Sequence, residues 1–434
     1  MKSILVGSGR VLYSIVIFLL TVVCSRLFSV DFYVNFREFI LYFLIGINLA
    51  GIPATNTLYY FRERHNKNIF QIYMISFFFL LIFFFILFLI SKSFLIPLSF
   101  IVSFSSMFFL VCEATSLSLR TPLISVFLNI FESLSFFIPI FIVFLFKVNE
   151  FMFFIYLLFL GFIKIVFYLL LTLLMNKKSK EYDKNEIIKF SLPLYFNGIL
   201  GSISKQIDKF IVSLFYYGKS FADYSTGSFE IPLVARFFSG VFHERADYIK
   251  EKIEENKNGD LKRDFEKILM YSVTILGVLT LFFFINSKTI IRIFFSEKYV
   301  ESYKFFMVYL TVLPLRNIPF GFLLSLKGKN FLLFLISLLD SFLTVLFSLV
   351  FAKFFNIFFV SFSFVIATFV SVFLTIFFIR DIFPSKVFVK RYFLIIFLLL
   401  VLIPLLNQFN NILLTCIFIL IYMILDILLF WRKR

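Results

Sequence analysis

Apolar stretches long enough to cross a bilayer recur along nearly the whole chain, with short polar loops between them. That feature decides what the chain can fold into. The run from Ile69 to Ile90 carries no charged residue. A hydrocarbon layer of about 30 Å is crossed by roughly 20 apolar residues in a helix. The expectation is an all-α polytopic membrane protein. The 434 residues are 61% hydrophobic, with a mean hydropathy of +1.01. The longest polar stretch, Ala246 to Phe265, is too short for a core of its own. The first apolar segment lacks a small-residue cleavage site and reads as a spanning helix rather than a signal peptide.

Composition narrows the chemistry. Cys24, Cys112 and Cys416 all fall inside apolar segments and read as inert core thiols, without disulfide or metal spacing. His65 and His243 are far apart in expected loops, so no metal site or other cofactor is expected. The formal net charge of +17 reads as basic loops on the cytoplasmic side of a membrane, not as nucleic-acid binding. The 74 Phe residues read as compositional drift and receive no functional role. No phosphate-cradling glycine loop with Lys appears, and no paired soluble carboxylates or Ser-His-Asp arrangement. The chain reads as a transporter and not an enzyme, and an ATP-driven pump is not encoded in it.

About fourteen helices are expected, over 11–29, 38–60, 69–91, 94–118, 122–146, 151–175, 188–216, 222–244, 267–286, 303–326, 329–352, 357–379, 390–406 and 411–430. Lys and Arg concentrate in alternate loops, including Arg62, Arg64 and Lys67, Lys177 to Lys184, and Arg380 to Arg391. This bias places both termini in the cytoplasm. The basic outer loop near Lys288 to Lys304 reads as a place for a short interfacial helix. The organisation is a six-helix lobe at 1–176, a charged cytoplasmic linker at 177–187, a second six-helix lobe at 188–381, and an extra helix pair with a basic tail at 382–434. Equal halves suggest an internal repeat. A faint match supports it, between Arg26-Leu-Phe-Ser leading to Asp31-Phe-Tyr and Ser213-Leu-Phe-Tyr leading to Ala222-Asp-Tyr.

Charges inside the bilayer cost several kcal/mol by insertion scales, so each needs a partner, a wet cavity or a neutral form. Lys205, Asp208 and Lys209 share one helix face by their three- and four-residue spacing. Glu230 and Arg236 lie on the next helix, with Glu230 at about the depth of Asp208. Two readings stand side by side: an ion-pair lock between helices, and a polar wall on a central cavity. The excess of basic groups favours the cavity. The first half adds Arg26, Lys164 and Asn48. Asn48 lies in the stretch Gly46, Asn48, Gly51, Pro53, Thr55 and Asn56, which weakens a helix and exposes carbonyls where backbone lines a cavity. Close helix packing is the other reading of those glycines. Arg316, between Pro314 and Pro319, reads equally as a snorkelling loop-end residue and as a site residue. Glu113, Glu132, Asp340 and Asp426 read as isolated acids held by packing.

The segment from Phe190 through Gly240 resembles the seventh and eighth helices of Wzx-type polysaccharide or O-antigen repeat-unit flippases, of the multidrug/oligosaccharidyl-lipid/polysaccharide exporter superfamily. The matching features are Ser191-Leu-Pro193, Gln206-Ile-Asp208-Lys209-Phe210, and Ala222-Asp-Tyr224-Ser-Thr-Gly-Ser-Phe. The chain has Ala222 where the family usually has Gly. Ser296-Glu-Lys-Tyr299 and the Leu326-Lys-Gly-Lys-Asn loop also fit. The resemblance implies two six-helix bundles in a V around a central cavity, with an extra helix pair. It implies passage of an undecaprenyl-diphosphate-linked oligosaccharide from the cytoplasmic to the periplasmic or outer face of a bacterial plasma (inner) membrane. By resemblance, Asp208 and Lys209 match the family's helix-seven acid-base pair.

On this reading Arg26, Lys164, Lys205, Lys209, Arg236 and Asn48 bind substrate. Asp208 and Glu230 exchange H+ or Na+. The expected partners are the lipid-linked oligosaccharide, the bilayer and the polysaccharide polymerase machinery. A multidrug cation antiporter of the same superfamily is the first rival, and the basic excess argues against it. A membrane polysaccharide polymerase or ligase is the second. Such enzymes resemble proteins with a large outer loop carrying catalytic Arg or His, and no such loop appears.

Overall fold

The computed structural model describes residues 2–51, 69–118, 121–147, 149–175, 196, 200–201, 204–229, 231, 246–255, 257–403 and 411–426. Every regular element among them is helical, as expected. The linker 177–187 and most of the expected 222–244 helix lie outside the described residues. The chain divides into two compact units, Met1–Ala222 and Asp223–Arg434. The division falls beyond residues 188–216, which the sequence reading placed in the second lobe.

The first unit holds α1 (Lys2–Leu27), α2 (Val30–Gly46) continued by a π-helical turn (Ile47–Gly51), α3 (Ile69–Ser91), α4 (Leu95–Ser118), α5 (Pro122–Phe146), α6 (Met152–Met175) and α7 (204–215). The second helix starts well before residue 38. Ser29 caps it, its Oγ accepting from the Phe32 N–H at 3.2 Å, and Asp31 sits in the first turn. Both features favour a helix N-terminus. α5 opens on Pro122, which suits a first turn that needs no N–H.

α4 is the centre of this unit. Its spanning window is 72% buried, against 22% for α3. Serines make that burial close. Ser99 and Ser103, one turn apart, donate to the α2 carbonyls of Phe39 (3.4 Å) and Phe43 (3.2 Å). Small side chains let helix backbones approach in a membrane. The approach is tightest at Gly46, where a Cβ would collide with Ser103 and the Phe84 ring. The π turn begins at the next residue. The Gly46–Gly51 stretch thus combines close packing at Gly46 with irregular helix after it.

The second unit holds the end of α8 (Lys219–Gly227), then α9 (Ala246–Glu254), α10 (Asn258–Ile285), α11 (Ser287–Phe295), a 3-10 turn (Glu297–Ser302), α12 (Tyr303–Leu310), α13 (Leu313–Asn317), α14 (Phe320–Leu326), α15 (Asn330–Phe354), α16 (Ile357–Phe378), α17 (Ser385–Leu402) and α18 (Asn411–Asp426). The polar stretch Ala246 to Phe265 is helical over α9 and the start of α10. The basic loop near Lys288 to Lys304 carries the short helix α11. The expected helix 303–326 is broken, with a 61° bend between Glu297–Leu310 and Leu313–Leu326. Pro314 and Pro319 cannot donate to the preceding turn. The Thr311 carbonyl at the break accepts the Tyr392 hydroxyl of α17 at 3.1 Å.

α17 and α18 are tied to α10 along its length. Arg391 and Asp426, almost fully buried, pair at 3.2 Å. Thr274 donates to Asp426 at 2.7 Å, Tyr422 to the Val273 carbonyl at 3.1 Å, and Asn286 to Thr415 at 2.9 Å. After α14, Lys327 reaches Asp381 at 2.6 and 2.7 Å. Partial desolvation alone would raise the Asp381 carboxyl. The Lys327 ammonium and the backbone N–H groups of Asp381 and Ile382 outweigh it and hold the carboxyl below the ordinary range.

Seven helices among the described residues are long and apolar enough to cross a membrane, or eight if the bent pair is one span. Ile15–Leu27 and Ile417–Asp426 are shorter apolar helices.

Two outcomes follow from these contacts. Gly227 lies against the Ser302 carbonyl and the Phe305 side chain with no room for a Cβ. Gly227→Ala lowers stability by about 1–3 kcal/mol, while Gly259→Ala, with open space around it, changes it by less than about 1 kcal/mol. Thermal melting of the purified protein checks both, and equal melting points would refute the close approach. The second concerns pH. The depressed Asp381 carboxyl contributes stability fully above the unfolded value of about 3.9 and loses it as pH falls through the lower folded value. The pair is partly exposed, so the effect is under about 1 kcal/mol. The melting difference between wild type and Asp381→Asn should be present at pH 7 and vanish in acid.

Candidate functional site

The eight residues singled out from the sequence fall into five situations. Glu230 and Arg236 lie outside the described residues. Lys205, Asp208 and Lys209 are all on α7, and burial separates them: Lys205 is exposed, Asp208 is 0% exposed and Lys209 9%. Lys209 folds back along the helix and its ammonium donates to the Lys205 carbonyl at 3.2 Å. An acid and a base are thus buried next to each other on a helix whose preceding turn presents a second base to the surroundings. Arg26, in the last turn of α1, is exposed. Asn48 is half-buried within the π turn.

Lys164 is different. It is buried on α6 and forms an ion pair with Glu132 of α5 at 2.8 Å. Glu132 is therefore not isolated, contrary to the sequence reading. Its other contacts are hydrogen bonds from Ser106 (2.7 Å) and Tyr168 (2.8 Å). The ammonium also donates to Ser135 at 3.2 Å and lies 4.7 Å from the Phe136 ring centre. This is a fully satisfied polar cluster among α4, α5 and α6, and it already balances the Lys164 charge. Asp426 is likewise paired, with Arg391. Glu113 accepts from Ser125 (3.0 Å) and Asn129 (2.9 Å), and Asp340 from Ser371 (2.9 Å). These two are hydrogen-bonded packing residues, as the sequence suggested. Arg316 places its guanidinium 4.4 Å over the Phe364 ring.

The sequence reading missed Arg37. With α2 expected from residue 38, it counted as a loop residue. It lies two turns into the helix, half-buried. A signal for the Glu132–Lys164 pair was present. Both lie about halfway along antiparallel helices that share the short loop after Phe146, so counting from that loop gives them a common depth. Among the described residues no group of His, Cys, Asp and Glu has the arrangement to hold a metal ion.

The buried pair generates a prediction. Glu132→Ala strands the Lys164 ammonium in a low-dielectric interior and destabilises the protein by about 3–5 kcal/mol. Glu132→Leu combined with Lys164→Met recovers most of that loss. A melting series on the two single variants and the double variant measures it. A double variant no more stable than Glu132→Ala would show that the cluster is held by something other than charge.

Residues 134–304 match the family model described as "Polysaccharide biosynthesis protein". No curated protein matches the sequence. Solved structures share the fold. A lipid II flippase, MurJ, in an inward closed conformation, is 16% identical, with 98% of each chain covered and a TM-score of 0.70. An inward-facing multidrug resistance MATE family transporter of the MOP superfamily is 12% identical, covering 87% of this chain and 95% of that one, with a TM-score of 0.62. A MOP superfamily transporter from Pyrococcus furiosus, described by the reverse polarity of its binding pocket, is 13% identical, covering 88% and 94%, with a TM-score of 0.51. The family model over residues 134–304 and the shared fold agree with the resemblance drawn from the sequence: the chain has the fold of MOP-superfamily transporters.

Proposed function

We propose that the chain moves an undecaprenyl-diphosphate-linked oligosaccharide from the cytoplasmic to the outer face of a bacterial plasma membrane by alternating access. The observation that carries this reading is the polysaccharide biosynthesis match over residues 134–304, a stretch that contains Lys164, Lys205, Asp208, Lys209, Glu230 and Arg236. A lipid II flippase of the same fold supports it.

The physical need is specific. A sugar hydroxyl without a partner costs on the order of several kcal/mol in hydrocarbon, and an unpaired phosphate charge far more. A wet, net-basic cavity replaces that lost hydration. In this reading Arg26, Lys205, Lys209 and Arg236 attract the diphosphate. Asn48 offers hydrogen bonds at an irregular turn. Lys164, balanced by Glu132, serves by holding α5 and α6 in place. The lipid tail runs along α17 and α18. Asp208 or Glu230 exchanges H+ or Na+ to drive the return, both termini face the cytoplasm, and the product passes to polymerase machinery.

The test is a proteoliposome assay with a fluorescent undecaprenyl-diphosphate oligosaccharide, scoring quencher access to the far leaflet with and without pH or sodium gradients. Wild type should move the lipid. Lys209→Ala and Arg236→Ala, each removing a charge-assisted contact, should slow it about tenfold or more while leaving the protein folded. Gradient-driven efflux of organic cations with no movement of the lipid would overturn the reading in favour of the antiporter.

A further inference from the structure

In the second unit, the polar ends of three helices that run into apolar segments border an open cavity of about 730 Å³. The helices are the start of α10, the end of α16 and the start of α17. Lys262, Arg263, Arg380 and Lys386 line it, with Glu266 and Asp381 as the acids. Asp381 is already engaged by Lys327, from outside the lining. Among the described residues none of the four lining cations is in an ion pair, and they outnumber the two acids, so the cavity presents a net positive field. The first turns of α10 and α17 border it, and neither has a side-chain cap. Their partial positive charge adds to that of the side chains.

The place of the cavity selects its ligand. The apolar segment Ile357–Phe378 ends two residues before Arg380. The Arg380 guanidinium lies 4.5 Å over the ring of Phe377, which is 53% exposed on the last turn of that segment. Half-exposed Phe393 of α17 packs against Phe373 and Phe369 further along α16. A cluster of cations at the membrane-water boundary thus opens onto an apolar surface that continues into the bilayer. Arginine binds phosphate oxygens through paired N–H donors, and basic pockets between spanning helices suit phospholipid headgroups.

We infer that this cavity holds the phosphate headgroup of an anionic phospholipid, whose acyl chain lies along Phe377 and Phe393. The required chemistry is a phosphoryl group presented at the membrane surface, and the bilayer lipid is its source. The inference does not depend on what the chain transports.

The experiment uses the full chain in bilayer discs of mixed phosphatidylcholine and phosphatidylglycerol. Native mass spectrometry scores the lipid retained after release. Wild type should retain phosphatidylglycerol over phosphatidylcholine by about tenfold, and raised salt should erode the preference. The variant carrying Lys262→Gln, Arg263→Gln, Arg380→Gln and Lys386→Gln should lose it. A control with Lys288→Gln and Lys298→Gln, away from the cavity, should keep it. A fourfold variant with unchanged preference would overturn the inference. So would a wild-type preference insensitive to salt, a reading that needs no variant to fold. Displacement of the lipid by millimolar inorganic phosphate or diphosphate at constant ionic strength would assign the cavity to a free phosphate and overturn the lipid.

Discussion

A polar group inside a bilayer has no water to turn to, and the interior of this protein is organised by that constraint. α4 shows it most plainly. Its serines can be buried because Phe39 and Phe43 of α2 offer carbonyls one turn apart, in register with Ser99 and Ser103. Ser106, a turn beyond Ser103, instead donates to Glu132. The same helix thus packs α2 through backbone and α5 through a carboxylate. The close contact of α2 and α4 at Gly46 and the polar cluster around Lys164 are two ends of one arrangement.

The constraint also sorts the charges. Lys164 and Arg391 are buried with acids beside them, and their pairings join neighbouring helices. Such pairs are strongly destabilising to break and contribute little net attraction for a third party. Lys205 and Arg26 stay exposed, and Lys209 lies beside Asp208. In the second unit Lys262, Arg263, Arg380 and Lys386 gather around helix ends.

Much of this was legible in the sequence. α3 to α6 and α15 to α16 are long, strongly apolar and bounded by polar turns, with at most two charged residues each, and hydropathy alone placed them. α2 was misplaced because Asp31 and Arg37 look like a loop by hydropathy. The Ser29 cap and the burial of Tyr33 and Phe36 make them helical. α10 starts early for a related reason, since charged residues on its first turns extend the helix out of the apolar region. The bend at Thr311 was visible as prolines, but prolines inside other segments, such as Pro139 in α5, leave the helix continuous. What a proline does depends on whether a neighbour can take the freed carbonyl, and that partner is distant in sequence. For the Glu132–Lys164 pair the sequence offered a common depth counted from the loop between α5 and α6, but pairing across helices is a property of packing.

The Tyr392 hydroxyl on the Thr311 carbonyl has a mechanical consequence. Hydrogen bonds weaken steeply beyond about 3.5 Å, so α17 has little freedom to slide past the elbow between α12 and α13 while that bond is made. α17 is in turn fastened to α18 through Arg391 and Asp426, and α18 to α10 through Tyr422. The elbow, the terminal helix pair and α10 therefore form a single linkage. Any torque that straightens the bent helix is delivered to the terminal helix pair, and a drag on that pair is felt at the bend.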